Sequence, residues 1–169
     1  MLQPAQVEDA PDIAALAAVI WPEAFAEMIS AAQIDYMLEH LQSAAAMANQ
    51  MRDGMAYFFL IRNGDRIGYA ALKHDPEQRV SLLSKLYILA EARGSNVSAL
   101  ALTELYAVAR AAGSERISLT VNRFNARAIR FYEKHDFVTT RELVADIGGG
   151  FVMDDYCMER PLALKDKSA

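Results

Sequence analysis

The chain has 169 residues, 53% of them apolar and 23% charged, and its 17 basic and 22 acidic side chains leave a net charge of −5. That length suits one domain with a sizeable core, and the acidic balance argues against a nucleic-acid binder. No apolar run approaches the roughly 20 residues of a membrane span, the N-terminus lacks the basic start and apolar core of a signal peptide, and Cys157 is the only cysteine, so no intrachain disulfide forms and a reducing cytoplasm is the expected compartment.

Residues 2–7 read as a short edge strand. Asp9-Ala10-Pro11-Asp12 is a helix start, with a capping Asp and a Pro inside the first turn. Ile13, Leu16, Ala17 and Ile20 form its apolar stripe, and Trp21-Pro22 is expected to end it. Ser30 with Gln33 makes a capping box for a second helix striped by Ile34, Met37, Leu38 and Leu41. Ser43 opens a third helix that Gly54 stops. Two strands, 56–62 and 66–75, flank Asn63-Gly64, the strongest short hairpin signal. A turn at 76–78 leads to a mostly apolar strand over 80–89, which suits a strand covered on both faces. The loop 90–95 follows, then a helix over 96–112 with Val97, Ala101, Leu105 and Val108 on one face and Gly113 after it. Ile117, Leu119 and Val121 alternate with Ser118 and Thr120 in a strand with one wetter face. Asn125 caps a helix over 126–135. Strands over 137–146 and 151–159 flank Gly148-Gly149-Gly150, and residues 163–169 are a polar tail beyond a single domain 1–162. The order β-α-α-α-β-β-β-α-β-α-β-β predicts an α/β sandwich with a mixed sheet.

A strand feeding a loop that opens a helix either binds phosphate or serves structure alone. The first-turn N–H groups are unpaired and the helix dipole is positive there. Arg93, just ahead of that helix, adds a forked, charged donor set. The three histidines, His40, His74 and His135, lack metal-ligand spacing, and no metal is expected. Cys157, in an alternating strand between Tyr156 and Met158, reads as a buried inert thiol.

Two blocks carry a resemblance. KLYILAEARGSNVSALAL, from Lys85, is similar to the coenzyme A loop of the GNAT-type N-acetyltransferases, and NRFNARAIRFYEKHDF, from Asn122, is similar to that family's helix bearing a tyrosine and an asparagine toward the coenzyme. Their order and spacing match, and the resemblance runs loosely from Val7 to Leu162. It implies a three-layer sandwich, a central, mixed but mostly antiparallel twisted sheet flanked by helices, and acetyl-CoA as cosubstrate. Leu86, Tyr87 and Ile88 would pair their backbone with the pantetheine arm, and the Ile88 N–H would steady the developing oxyanion. Arg93, Gly94, Ser95, Asn96, Val97, Ser98 and Ala99 would cradle the phosphates. Asn125 and Ala128 would face the pantetheine, and Tyr132 would protonate the leaving thiolate. The chain departs from the family at Asn96 and Ser98, where glycines are usual, and at Asp136, where a Gly usually precedes Phe137.

The same resemblance puts the acceptor wall on the helices after the first strand, making Trp21 and Tyr36 wall residues or else core aromatics. The family's frequent Glu on the central strand is replaced by Ser84 and Lys85. Asp154 and Asp155 either attract an ammonium group or take its proton through water, or they belong to a solvated strand face. The reading that follows is direct acetyl transfer to a primary amine of a small, polyamine-like or amino compound. Its rivals are an acyl-CoA-binding or regulatory module with weakened or no catalysis, and an acetyltransferase of protein N-termini or lysines. A homodimer is compatible with the sequence.

Overall fold

The computed structural model describes residues 1–94 and 96–163; Ser95 and the tail from residue 164 on lie outside them. Seven strands form one sheet: β1 (Leu2–Pro4), β2 (Ala56–Arg62), β3 (Asp65–Asp75), β4 (Val80–Ile88), β5 (Arg116–Asn122), β6 (Val138–Gly148) and β7 (Phe151–Pro161). Their spatial order is β1-β2-β3-β4-β5-β7-β6, and every pairing is antiparallel except β4 with β5. Five helices cover it: α1 (Ala10–Phe25), α2 (Ala31–His40), α3 (Ala44–Arg52), α4 (Val97–Ala111) and α5 (Ala126–Lys134). This is the expected mixed α/β sandwich in the expected order.

Strand alternation sorts the core into two layers. Phe58, Leu60, Leu72 and Leu83 face Leu102, Leu105 and Tyr106 of α4. Tyr57, Phe59, Tyr69 and Ala71 face Ile13, Ile20, Met37 and Met47 of α1–α3. Asn63 and Gly64 both take positive φ, 54° and 90°, as a tight hairpin turn requires.

Three local expectations need correction. Helix α1 runs through Pro22 to Phe25 instead of ending at Trp21-Pro22. A proline inside a helix costs about 3 kcal/mol, and tertiary contacts offset that here: Trp21 donates its Nε1–H to the Tyr69 hydroxyl at 3.1 Å and packs on Phe25 at 4.5 Å between centroids. Asp9 does not cap α1; its carboxylate accepts the Gln6 N–H at 2.8 Å, closing a short 3-10 turn. The Ser30 box closes on one side only. Ser30 Oγ accepts the Gln33 N–H at 3.1 Å, while the Gln33 amide reaches across to the Val152 carbonyl at 3.0 Å.

Candidate active site

Strands β4 and β5 pair only at Val80–Arg116, Ser81–Ile117 and Leu82–Ser118. Beyond that β4 stays with β3 as far as Ile88–Gly68, and β5 stays with β7 as far as Asn122–Asp155. The sheet therefore opens into a cleft. The cause is local: the register passes from Leu72–Leu83 to Ala71–Lys85, which leaves Ser84 as an extra residue just past the last β4–β5 pair. Such a bulge bends its strand and increases the twist.

The edge of β4 left bare by this opening carries the first set of groups. Leu89 N–H donates to Ile67 C=O of β3 at 2.9 Å, so by strand alternation Ile88 turns its own N–H and C=O toward the cleft. Its carbonyl accepts Arg93 Nε–H at 2.9 Å, which ties the loop to the strand end, and its N–H faces the opening. Gly68 lies opposite Ile88, where any Cβ would run into the Tyr87 carbonyl oxygen. Leu86 and Tyr87 are half-buried.

Two described residues of the loop are left-handed. Gly94 has φ 84° and Asn96 φ 61°; Asn is among the few side chains that accept this region readily. Asn96 makes no side-chain cap on α4, so the first-turn N–H groups of Val97, Ser98 and Ala99 point out of the helix end. The side chains of Val97 and Ala99 are buried in the core, and only their backbone is available to a ligand. Ser98 is half-buried.

Helix α5 reaches the cleft from the opposite strand. Asn125 Oδ1 accepts the Ala128 N–H at 3.1 Å, so its oxygen is committed to the cap and only its amide NH2 is left for another partner. Asp136 takes φ 66°, and the N–H groups of Asp136 and Phe137 return to the carbonyls of Glu133 and Tyr132 at 3.0 and 3.1 Å. This is a left-handed helix terminator, which explains why glycine suits that position. Tyr132 packs edge-on against Phe131 and Phe137, both at 5.3 Å. Its ring is partly exposed while its hydroxyl end is enclosed, and burial raises its pKa well above that of a free phenol.

Across the cleft lies the face covered by α1 and α2. Trp21 is 2% exposed and stands behind the wall rather than on it, packed on Phe25 and Tyr87. Tyr36 is a clasp: its hydroxyl donates to Ile147 C=O at 2.9 Å, and its ring stacks on His40 at 4.1 Å and meets Phe151 at 5.2 Å. Gly148 and Gly149 come so close to the Tyr36 ring and hydroxyl that neither has room for a Cβ. His74 and His135 are engaged elsewhere, with Ser114 Oγ and Phe131 C=O at 2.8 Å each.

Adjacent residues of β7 separate here. Asp154 forms an ion pair with Arg123 Nε at 2.6 Å, and Arg123 also bonds Glu142 at 3.0 Å. Asp155 is only 4% exposed and its Oδ1 is buried without a hydrogen-bond partner among the described residues. Burial first, and the neighbouring Asp154 second, lift its pKa to about 6, while a hydrogen bond with Thr120 pulls the other way. Tyr87 is raised first by burial and then by the Tyr132 and Asp155 groups; it stands on the freed length of β4, and Asp155 lies opposite the last residue of β5. Lys85 is 6% exposed, held to about 8 by burial, with Nζ 5.9 Å from the Tyr57 ring centre. Its chain crosses over Ala71, its partner on β3, toward β2 and away from the cleft.

Asp155, Thr120 and Tyr87 thus form a group that local sequence does not reveal, since it depends on where β4 and β5 part. The burial of Lys85 likewise had no signal beyond an apolar strand around it.

Residues 16–137 match the acetyltransferase (GNAT) family. The chain is 32% identical over 155 residues to an uncharacterised N-acetyltransferase of Mycobacterium tuberculosis, covering 91% of this chain and 98% of the relative. In fold it is similar to the PaiA N-acetyltransferase of Thermoplasma acidophilum, solved in complex with coenzyme A, at TM-score 0.76 and 20% identity over 95% of this chain and 98% of that one. It is also similar to a GCN5-related N-acetyltransferase of Rhodopseudomonas palustris, at TM-score 0.79 and 20% identity over 95% and 94%. With the family matched over residues 16–137 and a relative 32% identical across 91% of the chain, the chain belongs to the GNAT acetyltransferase family and is an N-acetyltransferase.

Proposed function

We propose that the protein transfers the acetyl group of acetyl-CoA directly to a primary amine of a small molecule, without an acyl-enzyme. The observation that carries this reading is the β4–β5 opening, with the Ile88 N–H turned into it from one strand and helix α5, which bears Tyr132, following the freed end of the other. Bare strand backbone can pair with an extended amide-bearing arm as an added strand does. A fixed N–H directed at the thioester oxygen stabilises the charge that develops on it. Arg93 and the open first turn of α4 supply the cationic and N–H groups that phosphates need. The left-handed Asn96 supports a loop that keeps its path without the usual glycine, which weighs against a non-catalytic module. Cys157, buried at 6% exposure, supports direct attack over a thiol intermediate. The Tyr36 clasp closes α2 onto the β6–β7 hairpin, which favours a small acceptor over a protein segment.

The test is thermal denaturation with coenzyme A and acetyl-CoA, followed by a panel of amines and peptides read by free-thiol release. Ligand at 100 times its dissociation constant adds about 2.7 kcal/mol, a clear melting shift. Shifts with both ligands and thiol release with small amines are expected. No shift and no release would remove the reading, and release with peptides alone would move the acceptor to proteins.

A further inference from the structure

An alkylammonium must lose a proton before its nitrogen can attack a thioester, so an amine acetyltransferase needs a group to receive that proton. Around this cleft the candidates are few. Ser84 is a poor base, and Lys85 lies under α1–α3 with its ammonium near the Tyr57 ring. The Asp154 carboxylate is held by Arg123. His40 Nδ1 lies 2.9 Å from the Tyr36 carbonyl, and His74 and His135 are bonded elsewhere.

Asp155 differs from all of these. Its side chain is more than nine-tenths buried, its neighbour Thr120 on β5, which hydrogen-bonds with it, is exposed, and Oδ1 has no partner among the described residues. The groups acting on it are the Asp154 charge, whose side chain leaves β7 on the opposite face, then Thr120 from β5 and Tyr87 from β4. None is a cation. Arg123 is occupied by Asp154 and Glu142 and sits 5.3 Å from the Tyr156 ring. A buried carboxylate beside a phenol is costly unless a cation arrives.

Resting on the acetyl-transfer reading above, we infer that Asp155 is the base that receives the acceptor's proton, and that the acceptor is therefore a cationic primary amine. Oδ1 accepts a hydrogen bond from the ammonium and takes one proton. The freed lone pair forms the C–N bond at the thioester carbonyl carbon as the C–S bond breaks. The second N–H proton passes to the leaving thiolate, through Tyr132 or water, and Asp155 returns its own proton to solvent. One ammonium and one thioester give one amide, one thiol and one proton.

The experiment compares the parent with Asp155→Asn and Asp155→Glu. The acceptors are butylamine and 1,4-diaminobutane, both protonated at neutral pH, and O-propylhydroxylamine, which is not. Asp155→Asn is expected to lower kcat/KM for the alkylamines about 100- to 1,000-fold and for the alkoxyamine less than tenfold, with the coenzyme-induced melting shift unchanged. The parent's activity should rise with pH through about 6, where the carboxyl ionises, and this limb should vanish in Asp155→Asn and return in Asp155→Glu. A parent that turns over alongside an Asp155→Asn enzyme within threefold of it, with the same acid limb, overturns the assignment of Asp155 alone. Equal losses with both classes of acceptor also overturn it, since they mark a structural role. A parent that neither binds coenzyme nor releases thiol overturns the function reading and this assignment together.

Discussion

On the coenzyme side of the cleft, the groups on offer are backbone N–H groups and helix ends fixed by residues a few positions away. Gly94 and Asn96 turn the loop, Asn125 caps α5, and the Phe137 N–H closes back on Tyr132. The acceptor side is held by side chains from remote parts of the chain: Tyr36 with Ile147, Gln33 with Val152, and Trp21 with Tyr69. Arg93 and Tyr132 apart, the first side is insensitive to most single side-chain changes because the rest of its chemistry is main-chain chemistry. On the second side, one substitution can remove a catalytic proton acceptor or free a wall.

The sharpest way to expose this contrast is Asp155→Asn, which should damage activity while helping the fold. Burial raises this carboxyl from 3.8 to about 6, so the folded chain holds its proton more tightly than the unfolded one. The stabilisation is full below about pH 4 and is lost as pH rises through about 6, at a cost on the order of 3 kcal/mol. The neutral amide escapes that loss. Asp155→Asn should therefore melt above the parent at pH 8, and the gap should close toward pH 4. An equal gap at both pH values would contradict the buried-charge account.

Tyr132→Phe comes next in expected effect. Its ring contacts with Phe131 and Phe137 survive, so stability and coenzyme affinity should hold while kcat falls about 100-fold, the low end for a lost acid. The low end is expected because the enclosed hydroxyl is a weaker acid than a free phenol. Turnover within a factor of two of the parent, with chemistry rate-limiting, would remove its hydroxyl from the reaction. Tyr36→Phe tests the far wall. Losing one hydrogen bond to Ile147 should cost about 1 kcal/mol of stability and raise the acceptor KM with kcat little changed. A drop in kcat alone would show that the clasp positions the reacting groups rather than the acceptor. Asn96→Gly should do least: the backbone is already left-handed, so calorimetry should find coenzyme affinity within about threefold of the parent. A larger change in either direction would make the Asn96 side chain a ligand or an obstruction.

Element order and the two-layered core are legible in the sequence because their signals are local, whereas the coenzyme-side residues are named by the family resemblance. Alternation, an Asn-Gly pair, capping residues and a helix opening after a strand each depend on a handful of neighbours. Pro22 misled because the contacts that carry α1 past it come from Phe25 within the helix and from Tyr69 on β3. Asp154 and Asp155 were inseparable in the sequence. Being adjacent on a strand, they had to face opposite ways, but which one would meet Arg123 and which Thr120 depended on the β5–β7 register. In the sequence Trp21 and Tyr36 fit both wall and core for the same reason: α2 meets the β6–β7 hairpin only once the sheet exists.

Gly68 contributes no atom to the chemistry, and it stands on a strand that does not border the cleft. It nevertheless acts as a gauge block: β3 and β4 can lie this close only while position 68 has no side chain, and their separation sets where the Ile88 N–H stands. Even a methyl group there would push the strand carrying that donor outward, toward the space a thioester would fill, so the error would be felt as misplaced chemistry more than as lost binding. Enlarging the acceptor cleft is therefore a matter for Tyr36 and the glycine hairpin. The spacing of β3 and β4 is a tolerance that cannot be relaxed.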